Sequence, residues 1–303
     1  MYFTSLPDHS RPDFDEALHF SRFRQHNIIF NAISYRSHCD RHVGCLSLKR
    51  VLGGEEWYGV DRRSLVLRPG QFLLLNDDQE YSCRVDTAGA LRAQSVFFRT
   101  DFVAAVFRDA LYGEETLLDN PLETERRPLE FFQALNEMDP RLDRQLDGLM
   151  SALEEQGYDH EMVDERLVFL LQHLIRLHKK EVDTAGRVNA IRAATKKEIY
   201  KRVCIARDLL HSCFMDKPDL AVLSHQACLS TPQLIRQFKA VFHATPHQYL
   251  NRVRLAHAAR LLADTAEPVH EITWKCGFEN TSAFCRAFKA EYGVPPLHFR
   301  MRA

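Results

Sequence analysis

Between residues 28 and 99 the apolar positions fall in short stretches separated by turn residues. Cys45–Leu52 runs into Gly53-Gly54, Trp57–Val60 follows, and Ser64–Leu67 stops before Pro69-Gly70. Gln71–Leu75 ends at Asn76-Asp77-Asp78, and Tyr81–Val85 and Gln94–Arg99 complete the series. Short β-prone runs at intervals of roughly 8–12 residues, punctuated by Gly, Pro and Asn/Asp, predict a compact β-sandwich or barrel. Residues 1–27 are polar without a sustained period and read as an arm. After Arg99 the period lengthens. Thr100 and Asp101 stand where they would cap a helix through Asp109, with Phe102, Val103 and Val106 on one side. A polar connection, 113–127, leads to helices predicted near 128–138, 140–156 and 160–180. In the last of these Met162, Leu167, Phe169, Leu170, Leu174 and Leu177 make a broad apolar stripe. Such a stripe packs on the β-domain or pairs with a second subunit, and the pattern does not choose between them.

The C-terminal third contains an internal repeat. Leu234-Ile235-Arg236-Gln237-Phe238-Lys239-Ala240 recurs 50 positions later as Phe284-Cys285-Arg286-Ala287-Phe288-Lys289-Ala290. Phe242, Pro246 and Tyr249 find counterparts in Tyr292, Pro296 and Phe299. Upstream the offset is 49, pairing Leu223 with Ile272, Cys228 with Gly277 and Leu229 with Phe278. Each copy reads as helix, tight turn, helix. In the first, Asp219 starts a short helix through Ala227, Cys228-Leu229 forms the turn, and Ser230 caps a helix to about Phe242. In the second, Pro268 suits a first helical turn, Gly277 supplies the turn and Asn280 caps the next helix. Leu234/Phe238 and Phe284/Phe288, at i and i+4, share an inward face, which leaves Arg236/Lys239 and Arg286/Lys289 on another. This is the layout of a helix-turn-helix, whose second helix enters the DNA major groove. Between the copies a helix from Pro246 to about Ala263, with Leu250, Val253, Ala256 and Leu261 on its buried side, would span roughly 27 Å. A strut of that length would hold two reading helices over successive major grooves, about 34 Å apart.

Charge sharpens this division. The chain of 303 residues has 40 basic and 41 acidic side chains, net −1. Residues 196–303 hold 16 Lys/Arg and 9 Asp/Glu (net +7), and residues 1–195 hold 24 and 32 (net −8). The C-terminal third is therefore the part fit to meet a polyanion. At roughly 100–200 residues per domain the length suits two domains, and the change of sign follows the small-residue stretch VDTAGRVNAIRAAT. This sets the expected organisation: domain 1–182 (arm 1–27, strands about 28–99, helices about 100–181), linker 183–195, and an all-α domain 196–303. An apolar share of 45% with 27% charged residues excludes a collagenous, low-complexity or wholly disordered chain. No run approaches the roughly 18 apolar residues of a membrane span, and the N-terminus lacks the order of a secretory signal. The expectation is a cytoplasmic protein with no membrane partner.

The C-terminal residues resemble the AraC/XylS transcription regulators. The resemblance rests on Leu220-Ala221, Cys228-Leu229-Ser230, Leu234-x-Arg236-x-Phe238-Lys239 and Tyr249-Leu250. It continues through Arg254-Leu255-x-x-Ala258-x-x-Leu261-Leu262 and Val269-x-Glu271-Ile272. It closes on Gly277-Phe278, Ser282-x-Phe284-x-Arg286-x-Phe288-Lys289 and Gly293-x-Pro295-Pro296. It covers about 200–303 and implies a seven-helix unit with two helix-turn-helix motifs. Carried over position by position, it puts base reading on Pro232, Ile235 and Arg236 and on Ser282, Ala283 and Arg286, with Thr231 and Thr281 near the phosphates. A guanidinium bonds guanine O6 and N7 together, so Arg236 and Arg286 lead the set; Lys239 and Lys289 suit phosphate contacts. One position departs: His243 stands where the second copy has Gly293, which calls for His243 in an unusual backbone conformation. Phe238, Phe288, Tyr249 and Phe299 read as core.

The same resemblance implies a cupin-like sensor and dimerisation domain for the N-terminal part, and so an α+β chain: a cupin-like β-barrel or sandwich with helices, then the all-α domain. The expected partners are double-stranded DNA, a small-molecule effector, a second copy of the chain, and RNA polymerase for an activator. The effector is unknown from sequence; the barrel interior is the default site, with Trp57 or Tyr81 on its wall. The alternative is a metal-dependent cupin enzyme with an accessory DNA-binding tail. It needs metal-binding histidines at short strand spacing, and no HxH is present. His38, Cys39, His42 and Cys45 are the nearest approach to a ligand set, at spacings foreign to zinc motifs, and a polar turn explains them as well. No metal, cofactor or catalytic residue is assigned. The eight cysteines show no CxxC and read as reduced thiols, with a redox role for Cys39 and Cys45 left open.

Overall fold

The structure is a computed structural model that describes residues 1–7, 9, 14–61, 63–111, 129–216 and 218–302. The polar connection expected at 113–127 lies outside them. The chain forms two compact units, Met1–Glu181 and Val182–Ala303.

The first unit is built on eight described strands: β1 (Tyr2–Phe3), β2 (Ile28–Gly44), β3 (Ser47–Gly53), β4 (Glu56–Val60), β5 (Arg63–Leu67), β6 (Gln71–Leu75), β7 (Gln79–Phe97) and β8 (Leu135–Glu137). They make one sheet in the order β1-β2-β7-β3-β6-β8, with β4 bridging β5 and β7. The sheet curls into a nearly closed barrel because β7 is long enough to serve three neighbours. Its first half pairs β4 (Trp57 with Arg84), its second half pairs β3 (Leu48 with Val96), and along its length it pairs β2. The two runs expected at Tyr81–Val85 and Gln94–Arg99 are thus ends of one strand.

Alternation along the strands divides the apolar residues between two cores. Leu73 and Leu75 of β6 point inward with Val51, Tyr58, Leu65, Leu67, Leu91 and Leu135. Phe72 and Leu74 point outward, against α2 (Thr100–Leu111), α3 (Pro140–Gln156) and α4 (His160–Ala185). Leu167, Leu170 and Leu174 of the expected stripe are buried there, whereas Phe169 is exposed. The stripe therefore packs on the barrel. Arg50 fixes α3 to the sheet: its guanidinium, 2% exposed, donates to Gln94, Asp143 and Asp147 at 2.5–2.6 Å.

Two expectations need correction. The helix near 128–138 is absent: residues 129–134 carry no helix and Leu135–Glu137 forms β8 on β6. Phe131, Phe132, Ala134 and Leu135 are all buried, so tertiary burial overrides helical propensity. The arm is not wholly irregular, because Glu16–Gln25 forms α1, capped by Asp15 accepting from the Leu18 amide.

The second unit contains α5 (Ala193–Ser212), α6 (Leu220–Gln226), α7 (Thr231–Phe242), α8 (Pro246–Asp264), α9 (Val269–Lys275), α10 (Thr281–Tyr292) and α11 (Pro296–Arg300). Between α4 and α5 the chain is folded: Val188 is buried, and Gln237 of α7 both accepts from the Asn189 amide and donates to its carbonyl.

Candidate nucleic-acid interface and barrel cavity

α6 with α7, and α9 with α10, are the two helix-turn-helix copies. Leu234, Phe238, Phe284 and Phe288 are fully buried, and this fixes the roll of each second helix. Pro232, Arg236 and Lys239 are exposed on α7, as are Ser282, Ala283, Arg286 and Lys289 on α10. Ile235, Thr231 and Thr281 are half-buried at the edges of the same faces. No intramolecular ion pair occupies Arg236, Lys239, Arg286 or Lys289 among the described residues.

The helix starts differ. The Gln233 side chain of α7 accepts from the Ser230 amide and hydroxyl, and Asn280 accepts from the Ser282 and Ala283 amides at 2.8 and 3.1 Å. Pro268 stands one position before α9, at its N-cap. Both turns pass through left-handed backbone: Cys228 at φ 50° in the first copy, Gly277 at φ 75° in the second. The helix ends repeat the contrast, with His243 at φ 54° and Gly293 at φ 76°. Tyr249 and Phe299 are half-buried inside their copies: the Tyr249 hydroxyl meets His211 Nε2 at 2.9 Å, and Phe299 packs edge-on against Phe288.

Within the barrel a second polar group assembles. In the β2–β7 pairing Cys39 lies opposite Cys83 and His42 opposite Tyr81, so three steps along β2 match two along β7. This is a β-bulge. In regular strand geometry Cys39 and His42 would point to opposite faces; the extra residue brings both inside, each 3% exposed. His9, from the segment between β1 and α1, joins them with its Nδ1 at 3.3 Å from the Cys39 sulfur. The Cys83 thiol donates to the Cys39 sulfur, and with the imidazoles of His42 and His9 it draws the Cys39 thiol down to about 3 against the opposing effect of burial. The same bond and burial push Cys83 up. Burial lowers His19 to about 4, with His9 and His42 adding to it. Lys49, fully buried with its ammonium 3.4 Å from the centre of the Phe97 ring, falls to about 8 through burial, partly offset by Glu56.

These groups line a cavity of about 40 Å³. A larger one, about 280 Å³, lies between the arm, α1 and β2, with Arg22 and His19 among apolar walls of Phe3, Phe14, Phe23 and Phe30. Tyr81 is on the wall of the smaller cavity and Trp57 borders neither. Of the four residues with ligand chemistry noted in sequence, only Cys39 and His42 come together. His38 turns to the surface and pairs with Asp40 at 2.8 Å, and Cys45 sits in an apolar cluster with its thiol pushed up to about 12 by burial. His9 and Cys83 take their places. No spacing rule reaches either residue, because one comes from the arm and the other from across the sheet.

Comparison with known proteins agrees with both halves. The family model for an AraC-like ligand binding domain matches residues 47–171, and one for a helix-turn-helix domain matches 223–302. The chain belongs to the AraC family. Among AraC-family relatives, the probable transcriptional regulator LumQ of Photobacterium leiognathi is 37% identical over 84 residues, 28% of this chain and 34% of LumQ. The transcriptional activator RhaS of Salmonella arizonae is 29% identical over 162 residues, 52% of each chain. The chain thus spans a third to a half of the length of these relatives. A solved structure of ToxT from Vibrio cholerae aligns with 89% of this chain and 98% of its own at 15% identity, with a TM-score of 0.36. No helix among the described residues is long and apolar enough to cross a membrane.

Proposed function

We propose that this protein is a sequence-specific DNA-binding regulator of transcription that places α7 and α10 in successive major grooves, under the control of a small molecule bound in the N-terminal unit. The observation that carries this reading is the repetition of one surface. Two helices, rolled alike by fully buried Leu/Phe and Phe/Phe pairs, each present an Arg and a Lys at matching positions. α8, 19 residues and so roughly 28 Å long, supplies the strut between them. Arg236 and Arg286 read guanine, Pro232, Ile235, Ser282 and Ala283 shape the base contacts, and Thr231, Thr281, Lys239 and Lys289 position the helices on phosphates.

The effector reading rests on the 280 Å³ cavity, whose apolar walls, with Asp15, His19 and Arg22 among them, suit a small, largely apolar organic molecule bearing a polar end. Activation through RNA polymerase, by analogy with a relative named as an activator, and action as a homodimer complete the proposal. The enzyme alternative gains no support from the relatives, which are regulators.

Selection of binding sites from a random DNA pool tests the assignment. Arg236→Ala and Arg286→Ala should each relax the preference at one base position and weaken specific binding by about 1–3 kcal/mol. Unchanged selection by both variants would remove the two helices from the role of readers.

A further inference from the structure

We infer that His9, Cys39 and His42 form a binding site for a zinc(II)-class metal ion inside the barrel. One sulfur and two imidazole nitrogens, one from each residue, lie within 4.8 Å of one another. Zinc holds nitrogen at about 2.0–2.1 Å and sulfur at about 2.3 Å, so neighbouring donors around a tetrahedral ion stand about 3.3–3.7 Å apart. The Cys39 sulfur and His9 Nδ1 already stand 3.3 Å apart, so at most the widest pair needs to draw in, by about an ångström. Two of the three donors are fixed on the sheet by the bulge. The third belongs to the segment between β1 and α1 rather than to a sheet strand, so its adjustment leaves the sheet pairing intact.

The donor set selects the ion. A thiolate with two imidazoles suits a borderline-soft cation; magnesium, calcium and manganese prefer oxygen, and the non-haem iron oxygenases take two histidines with a carboxylate. The one carboxylate on the cavity wall, Glu56, faces Lys49 and bonds Tyr58. Cys83, which bonds the Cys39 sulfur, supplies the supporting contact that orients a ligand from behind. Size points the same way. At ~10–15 Å³ for each water-sized sphere, a cavity of about 40 Å³ admits an ion with one or two waters and excludes an organic metabolite. The site goes beyond the regulatory reading and does not depend on it. DNA selection tests one and metal binding the other, so either fails alone.

The test is a cobalt(II) titration of the full chain after treatment with a chelator, followed by displacement with zinc(II). The expected result is one cobalt per chain with the visible bands of four-coordination and a sulfur charge-transfer band, both bleached by zinc. Cys39→Ser should abolish the sulfur band, and Cys45→Ser should leave it intact. His9→Gln should weaken binding by about tenfold or more. Because His9 lies outside the sheet, that variant keeps the test valid even where Cys39→Ser fails to fold. A pale six-coordinate spectrum without the sulfur band, or a His9→Gln protein that binds as tightly as the parent, overturns the inference.

Discussion

The two repeats solve one backbone problem with different residues. At the first turn Cys228 adopts a left-handed conformation, and at the second Gly277 does. A side chain in that region carries a cost of roughly 1–2 kcal/mol relative to glycine. Cys228→Gly should therefore stabilise the C-terminal unit by about 1 kcal/mol in thermal or urea unfolding. The reverse change is not symmetrical. A Cβ at Gly277 would stand 2.8 Å from the Met215 carbonyl and 2.9 Å from an Arg254 guanidinium nitrogen. Gly277→Ala should cost about 2 kcal/mol or more. In the barrel, Lys49 titrates at about 8 against 10.5 when exposed. Between those values the unfolded chain holds more protons, so this group makes stability rise with pH. Tyr58 and Tyr81 are pushed above 10 by burial; above pH 10 the unfolded chain loses their protons first, and stability falls. Urea unfolding of the N-terminal unit at stepped pH should show a rise from 8 toward 9 and then a decline, because Cys45, pushed up by burial, and Cys83, pushed up by its bond to Cys39 and by burial, keep protons that the unfolded thiols lose from about 9. Lys49→Met should flatten the rising limb. Glu56, Cys39, Cys45 and Cys83 also act on Lys49; Cys39, drawn down, adds to the rise, and Cys45 and Cys83, pushed up, oppose it.

At the level of elements, the joint between barrel and helices hangs on Arg50. Its partners Asp143 and Asp147 are about half exposed, so water can take them back when the guanidinium is lost. Arg50→Ala should cost near the lower end of the roughly 3–5 kcal/mol typical of a broken buried pair, read as a lower urea midpoint for the N-terminal unit. The helix-turn-helix copies were legible in the sequence because their information is local: apolar residues at i and i+4, caps, and a turn residue, written twice. The strands from Ser47 to Leu75 were legible for the same reason, since turn residues bound them. β7 was not, because Asp86–Ala90 breaks its apolar pattern and its register with β2 shifts there, pairing resuming on either side at Asp86 and Leu91. β8 was missed because three residues carry no period. The His9–Cys39–His42 group depends on a bulge and on a segment 30 residues away, and neither leaves a mark in spacing.

For the whole molecule, near-neutrality conceals a division: net +7 in residues 196–303 and −8 in the remainder. Binding to DNA should accordingly fall steeply with salt in spite of a net charge of −1, because counterion release is set by the contacting cations alone. In a salt titration of the full chain on its selected site, Lys239→Ala with Lys289→Ala should flatten the log–log slope by about 2 without changing base preference. An unchanged slope would take both lysines off the phosphates.

The bulge in β2 has a consequence for how such a barrel diversifies. Removing one residue at Asp40 or Arg41 would restore regular pairing and leave Cys39 and His42 two positions apart, so that both would still point inside, opposite Cys83 and Tyr81. The bulge thus lets β2 carry one extra residue without changing which side chains face the interior. A lineage could therefore lose the bulge through a single codon's deletion while the cluster and the scaffold around it stayed the same.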